Sequence, residues 1–90
     1  MKVENMTSSN GNKIANQFII REKNVIVFQS YNSVICKEVT ENGKKVVYLD
    51  ETYWDYSNTT GKYRNIFLGE NKAETQKKID SGIYILTNLN

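Results

Sequence analysis

From Ile14 onward the chain alternates short apolar runs with polar turns. Phe18-Ile19-Ile20 gives way to Arg21-Glu22-Lys23-Asn24, and Val25-Ile26-Val27-Phe28 to Gln29-Ser30-Tyr31-Asn32. Ser33-Val34-Ile35-Cys36-Lys37-Glu38-Val39 follows. β-Branched and aromatic residues bounded by Asn, Ser and charged turns read as strands. The clearest local signal is Asn42-Gly43, set between Lys37-Glu38-Val39-Thr40-Glu41 and Lys44-Lys45-Val46-Val47-Tyr48-Leu49. A type I′ turn needs positive φ at both central residues, which Asn and Gly tolerate, so a hairpin is expected. Its register places Glu41 opposite Lys44 and Val39 opposite Val46, matching charge with charge and apolar with apolar.

After Leu49 the period changes. Asn58 or Thr59 is positioned to cap a helix over about 59–68, with Tyr63, Ile66 and Phe67 on one face and Gly69 at its end. Asn71-Lys72-Ala73-Glu74 has the spacing of a capping box, which opens a second helix over about 72–80, stopped at Gly82. Ile83-Tyr84-Ile85-Leu86 reads as a last strand beside the hairpin. The expected fold is α+β: a small antiparallel sheet of four to five strands with two short helices packed on one face. Residues 1–12 are mostly polar and are expected to be a flexible tail, leaving residues 13–90 as a single domain.

Composition narrows the chemistry. Ninety residues, 39% hydrophobic and 24% charged with no Pro, suit one small polar globule. No apolar run approaches the roughly 18 residues of a membrane span. Met1-Lys2-Val3-Glu4-Asn5-Met6 lacks a signal-peptide core, so a cytosolic location is expected. The chain has no His, which removes Ser-His-Asp and Cys-His arrangements and the usual near-neutral base. Its one Cys, Cys36, lies in an apolar run and reads as a buried, inert thiol. The five Gly are scattered and form no phosphate loop. No cofactor and no metal site is expected, and the chain reads as non-enzymatic. Asp50, Glu51 and Asp55 are close enough in sequence to raise a metal-assisted nuclease as one alternative.

Net charge is +2, with seven bases against four acids in residues 1–45 and five against six in residues 46–90. That asymmetry is too mild to define a duplex-binding stripe. The segment Tyr53–Glu70 concentrates the only Trp, three of six Tyr and two bases. Trp54 and Tyr63 are expected in the core, because a small domain needs its largest side chains inside. Tyr53, Tyr56, Lys62 and Arg64 are the candidate partner-binding residues, as aromatics and Arg dominate interfaces. The same residues could instead stack and hold single-stranded nucleic acid, a second alternative. Thr59 and Thr60, at the helix start, are candidate anion ligands, with helix capping as their structural role.

Several segments together resemble a domain of unknown function carried by small bacteriophage and mobile-element proteins. They are Gln29–Ile35, Tyr48–Asp50, the motif Trp54-Asp55-Tyr56-Ser57-Asn58-Thr59-Thr60-Gly61-Lys62-Tyr63-Arg64 with its flanks, and Ile79–Leu89. The similarity spans about residues 10–90. It implies a setting, a phage gene product in the host bacterial cytoplasm, and transfers no catalytic residue. On that basis the expected function is a non-enzymatic phage accessory protein that binds and inhibits a host protein or ribonucleoprotein. An antiviral defence component such as a CRISPR effector is the leading target.

Overall fold

The structure, a computed structural model, describes residues 1–90. Six strands run in chain order across one sheet: β1 (Lys2–Thr7), β2 (Lys13–Glu22), β3 (Val25–Ser30), β4 (Ser33–Glu41), β5 (Lys44–Asp50) and β6 (Tyr84–Thr87). Helices α1 (Asn58–Leu68) and α2 (Lys72–Asp80) connect β5 to β6. The fold is α+β with two helices on one sheet face, as expected, but the sheet has six strands rather than four to five. The additional strand is β1. Residues expected to be a flexible tail instead pair with β2, from Lys2 opposite Arg21 to Thr7 opposite Lys13, with a bulge between Asn5 and Thr7. Backbone hydrogen bonding supplies what the polar side chains do not, and Met6 reaches the core at 8% exposure.

Strands β1 to β5 form an antiparallel meander, but the expected all-antiparallel sheet is corrected at its last strand: β6 is parallel to β5, with Val47 opposite Tyr84 and Asp50 opposite Thr87. A parallel neighbour requires a crossover, and the two helices provide it. The expected hairpin register holds: Glu41 faces Lys44 and Val39 faces Val46. Asn42 and Gly43 take φ of 52° and 77°, the left-handed pair that the turn demands. In the β3–β4 pair one extra residue, Ile35, stands opposite Phe28-Gln29, so Ile35 and Cys36 are both buried. Burial pushes the Cys36 thiol well up, consistent with an unreactive packing group.

Helix α1 begins one residue earlier than expected, and its cap is Ser57, not Asn58 or Thr59: the Ser57 hydroxyl accepts from Thr60 N–H at 3.1 Å. Gly69 closes it in the left-handed region, donating to Asn65 O at 2.8 Å. Its buried side is not the expected Tyr63-Ile66-Phe67 stripe. Thr60 and Arg64 are buried, Tyr63 and Phe67 are half-buried against the core, and Ile66 is exposed. Phe67 stacks on Phe28 of β3, with centroids 5.8 Å apart. Helix α2 opens with the expected capping box: Asn71 Oδ1 accepts from Glu74 N–H at 2.9 Å, and Glu74 Oε1 accepts from Asn71 N–H at 3.2 Å.

Glu70, between the helices, fastens α2 to β6. Its carboxylate accepts from Lys78 Nζ and Tyr84 Oη, each at 2.7 Å, and from Thr75 Oγ1 at 2.6 Å. Burial alone would raise the Glu70 pKa, but these three donors outweigh it and hold it below the usual value. Tyr84, through burial first and then the Glu70 carboxylate, is pushed up to about 12. An unfolded Tyr ionises near pH ~10. Over that window the folded chain retains a proton that the unfolded chain releases, so stability is intact below about pH 10 and falls toward pH 12. Lys78, raised by its bond to Glu70, acts in the same direction, losing its contribution as pH rises through its folded pKa. Thermal melts in alkaline buffers should fall over this window, and Tyr84→Phe should flatten the fall while leaving the Lys78 part. An equally steep fall in Tyr84→Phe would refute this reading.

Candidate binding cleft

One end of the sheet, where β3 turns into β4, meets the loop after β5 and the start of α1. Ser30, Tyr31, Asn32, Ser33, Ile35, Tyr53, Tyr56, Ser57 and Thr60 enclose a half-open cleft of about 380 Å³. The volume falls at the lower end of small-ligand sites. No charged residue lines it. Its walls offer phenol faces, hydroxyls and one amide, the mixture found where rigid aromatic surface meets adaptable hydrogen bonding.

Each wall has a local cause. Tyr31 occupies φ +54°, a conformation that costs a bulky L residue of order 1–3 kcal/mol. Two bonds hold it there: Tyr31 N–H donates to Asn16 O at 2.7 Å, and Gln29 Nε2 donates to Tyr31 O at 2.8 Å. The ring is left 55% exposed at the rim. On the opposite wall Asp50, 1% exposed, shapes the loop: Oδ2 accepts from Thr52 N–H at 3.0 Å and Tyr53 N–H at 2.9 Å, while Oδ1 accepts from Leu89 N–H at 2.8 Å. Burial alone would raise the Asp50 pKa. The donors from Leu89, Tyr53, Asn90 and Thr52 prevail and keep it below the ordinary carboxylate value. Tyr53 packs against the core, and Tyr56, 69% exposed, meets it edge-on with centroids 5.5 Å apart. Thr60 Oγ1 lies 3.3 Å from Ser30 Oγ and accepts from Ser57 Oγ at 3.2 Å, which ties the helix start to the sheet at the cleft floor.

The cleft thus brings together Tyr53, Tyr56 and Thr60 of the sequence-derived candidates and adds Tyr31. Thr59 is exposed on the first turn of α1, whereas Thr60, 3% exposed, is engaged at both its N–H and its hydroxyl and has no free donor to offer an anion from its amide. Lys62 is exposed, its Nζ 5.4 Å from the Tyr63 ring centroid. Arg64 is the clear correction. Expected as an exposed anchor, it is 1% exposed and structural. Nη1 donates to Trp54 O at 2.7 Å and to Asp55 Oδ1 at 3.3 Å, Nη2 donates to Asn65 Oδ1 at 3.0 Å, and the guanidinium lies 5.2 Å from the Trp54 ring centroid. Its Nε is buried with no protein acceptor. Trp54 and Tyr63 are half-buried and packed on the core, in line with the core reading.

The carboxylates considered for metal chemistry diverge. Asp50 is taken up by backbone N–H groups, and Asp55 bridges Arg64 and Lys72, the latter at 2.7 Å. Burial alone would raise the Asp55 pKa, but Lys72 and Arg64 hold it low. Glu51 is exposed, and no three His, Cys, Asp or Glu side chains come close enough to share an ion.

Fold and cleft together define a small α+β chain with an uncharged opening walled by phenols and hydroxyls at one end of its sheet. The chain belongs to a family of unknown function, DUF8033, whose profile matches residues 1–82. That match includes β1, the segment expected to lie outside the domain. No curated protein and no solved structure is significantly similar to the chain. No helix is long and apolar enough to cross a membrane.

Proposed function

We propose that this chain is a non-enzymatic binding protein that uses the Tyr31–Tyr53–Tyr56 cleft to engage and block a host macromolecule, a protein or ribonucleoprotein of antiviral defence. The observation that carries the reading is the uncharged, exposed aromatic rim. Tyr31 and Tyr56 are exposed on a backbone fixed by hydrogen bonds and edge packing, and with two χ angles each their rings cost little entropy to order on contact with a partner. The resemblance of the Trp54–Arg64 segment to phage-borne domains supports the bacterial setting. Protein is favoured over nucleic acid as the target because Arg64, one of the two bases beside the aromatics, is withdrawn into the fold.

Affinity capture from host lysate, with and without nuclease, tests this directly. The expected result is a protein partner that survives nuclease and is lost with Tyr56→Ala. An exposed interface aromatic is worth about 2 kcal/mol or more when truncated, roughly a thirtyfold loss of affinity. The thermal stability of Tyr56→Ala should fall by no more than about 1.5 kcal/mol, the edge contact with Tyr53 that is lost. A nuclease-sensitive partner whose affinity falls steeply with salt would replace this reading with single-strand binding. No partner at all, and no effect on phage plating on defence-positive cells, would end it.

A further inference from the structure

Four strands carry continuous apolar runs, not alternating ones: Phe18-Ile19-Ile20 in β2, Val25-Ile26-Val27-Phe28 in β3, Val46-Val47-Tyr48-Leu49 in β5 and Tyr84-Ile85-Leu86 in the edge strand β6. Such runs belong to strands covered on both faces. Successive side chains point to opposite sides of a sheet, so the register sorts them. Ile19, Phe28, Cys36 and Leu49 stand across from one another and form the core beneath the helices. The alternate positions meet on the other side: Val3 with Ile20, Ile20 with Val27, Val25 with Val39, Val39 with Val46, and Tyr48 with Ile85. No element of the chain covers this second face. Val3 is 56% exposed and Ile85 41%, while the Val residues between them are half-buried only by their own neighbours.

We infer that this open face is the contact between two copies of the chain, packed sheet on sheet into a four-layer helix–sheet–sheet–helix dimer. Area and charge both fit that occupant. Six strands spaced about 4.8 Å apart and about six residues long present about 500–600 Å² of projected face. Two such faces, fully apposed, remove about 1,000–1,200 Å² from water, enough to clear the roughly 1,000 Å² of a biological interface and of the size that dissociates on dilution. The only charge within the ladder is Lys37, whose ammonium lies 5.6 Å from the Tyr48 ring centroid. At the rim of the same face Glu22 and Glu41 stand against Lys13 and Lys44, so with Lys37 each face carries three bases and two acids, a net charge small enough for two copies to meet with little repulsion. An aligned sandwich would cross the two sheets at about −30°. The tyrosine cleft, at the end of the sheet and on its helix side, stays outside the contact.

Sedimentation equilibrium over a wide concentration range decides the matter. Wild type is expected at twice the mass of one chain, dissociating on dilution. Val→Thr preserves β-branching and shape but places a hydroxyl in the contact, so Val27→Thr and Val46→Thr should each weaken the dimer by at least about tenfold, with the far-ultraviolet spectrum of the fold retained. Should these variants fail to fold, wild type alone still answers: in a mixture of labelled and unlabelled chains, intermolecular NOEs among the methyls of Val25, Val27, Val39 and Val46 are expected. A wild type that sediments as one chain throughout, Thr variants that dimerise as tightly as wild type, or the absence of those NOEs would overturn the inference. None of these outcomes touches Tyr56, so failure here is distinguishable from failure of the proposed binding function.

Discussion

Replacing Arg64 with Ala is expected to lower the unfolding free energy by about 3–4 kcal/mol, the effect of leaving a buried charge network without its cation. The guanidinium joins three parts of the site at once: the Trp54 carbonyl, the Asp55 carboxylate and the Asn65 side chain. It also lies against the face of Trp54, where a desolvated cation contributes about 2 kcal/mol. Arg64→Lys keeps the charge but cannot span two acceptors with a planar fork, so about 2 kcal/mol of the loss should remain. Urea unfolding followed through Trp54, the only Trp, measures both variants with the probe at the affected contact. Lys62→Ala, two positions away and exposed, is the control and should change stability by less than about 0.5 kcal/mol. An Arg64→Ala variant as stable as wild type but unable to bind a partner would return Arg64 to the surface role its sequence context suggests.

That contrast shows where sequence reading works. Asn42-Gly43 and Asn71-x-x-Glu74 act through residues two or three apart, so the hairpin and the capping box are legible from the residues alone. Arg64 is decided nine and ten residues away, by Asp55 and the Trp54 carbonyl, and nothing in its neighbourhood announces that a base will turn inward. β1 escapes for a related reason: Lys2, Glu4 and Asn5 look like a solvated tail, and only β2, with Arg21 donating to Glu4 at 2.8 Å, makes them a strand. The cleft is half legible. Tyr53 and Tyr56 stand out in an aromatic cluster, whereas Tyr31 joins them through a turn more than twenty residues earlier in the chain, with only its Ser and Asn neighbours as a signal. The runs of β2, β3 and β5 were legible as strands, yet their two-sided apolarity takes on meaning only once the register shows which side the helices leave bare.

Asp50→Ala is expected to rival Arg64→Ala, at about 3 kcal/mol, because three backbone N–H groups lose their shared acceptor in a buried position. The loss reaches two segments together, the loop that carries Tyr53 and the C-terminal residues after β6. It should therefore weaken partner binding and stability strongly together, whereas Tyr56→Ala weakens binding with only a small loss of stability. Protonation offers a milder version of the same perturbation. The Asp50 pKa is lower in the folded chain than the ordinary unfolded value of about 3.9, so its contribution is complete above that value and is lost as pH falls through the folded pKa. Asp55 and Glu70 are shifted in the same direction and add to the acid side of the curve. Wild type should hold a level melting temperature down to about pH 4–5 and drop below it. Asp50→Asn, which has no charge to lose, should start lower at neutral pH and fall less steeply. Parallel curves for the two proteins would mean that the Asp50 charge is not what holds the loop, and that the acid response belongs to Asp55 and Glu70.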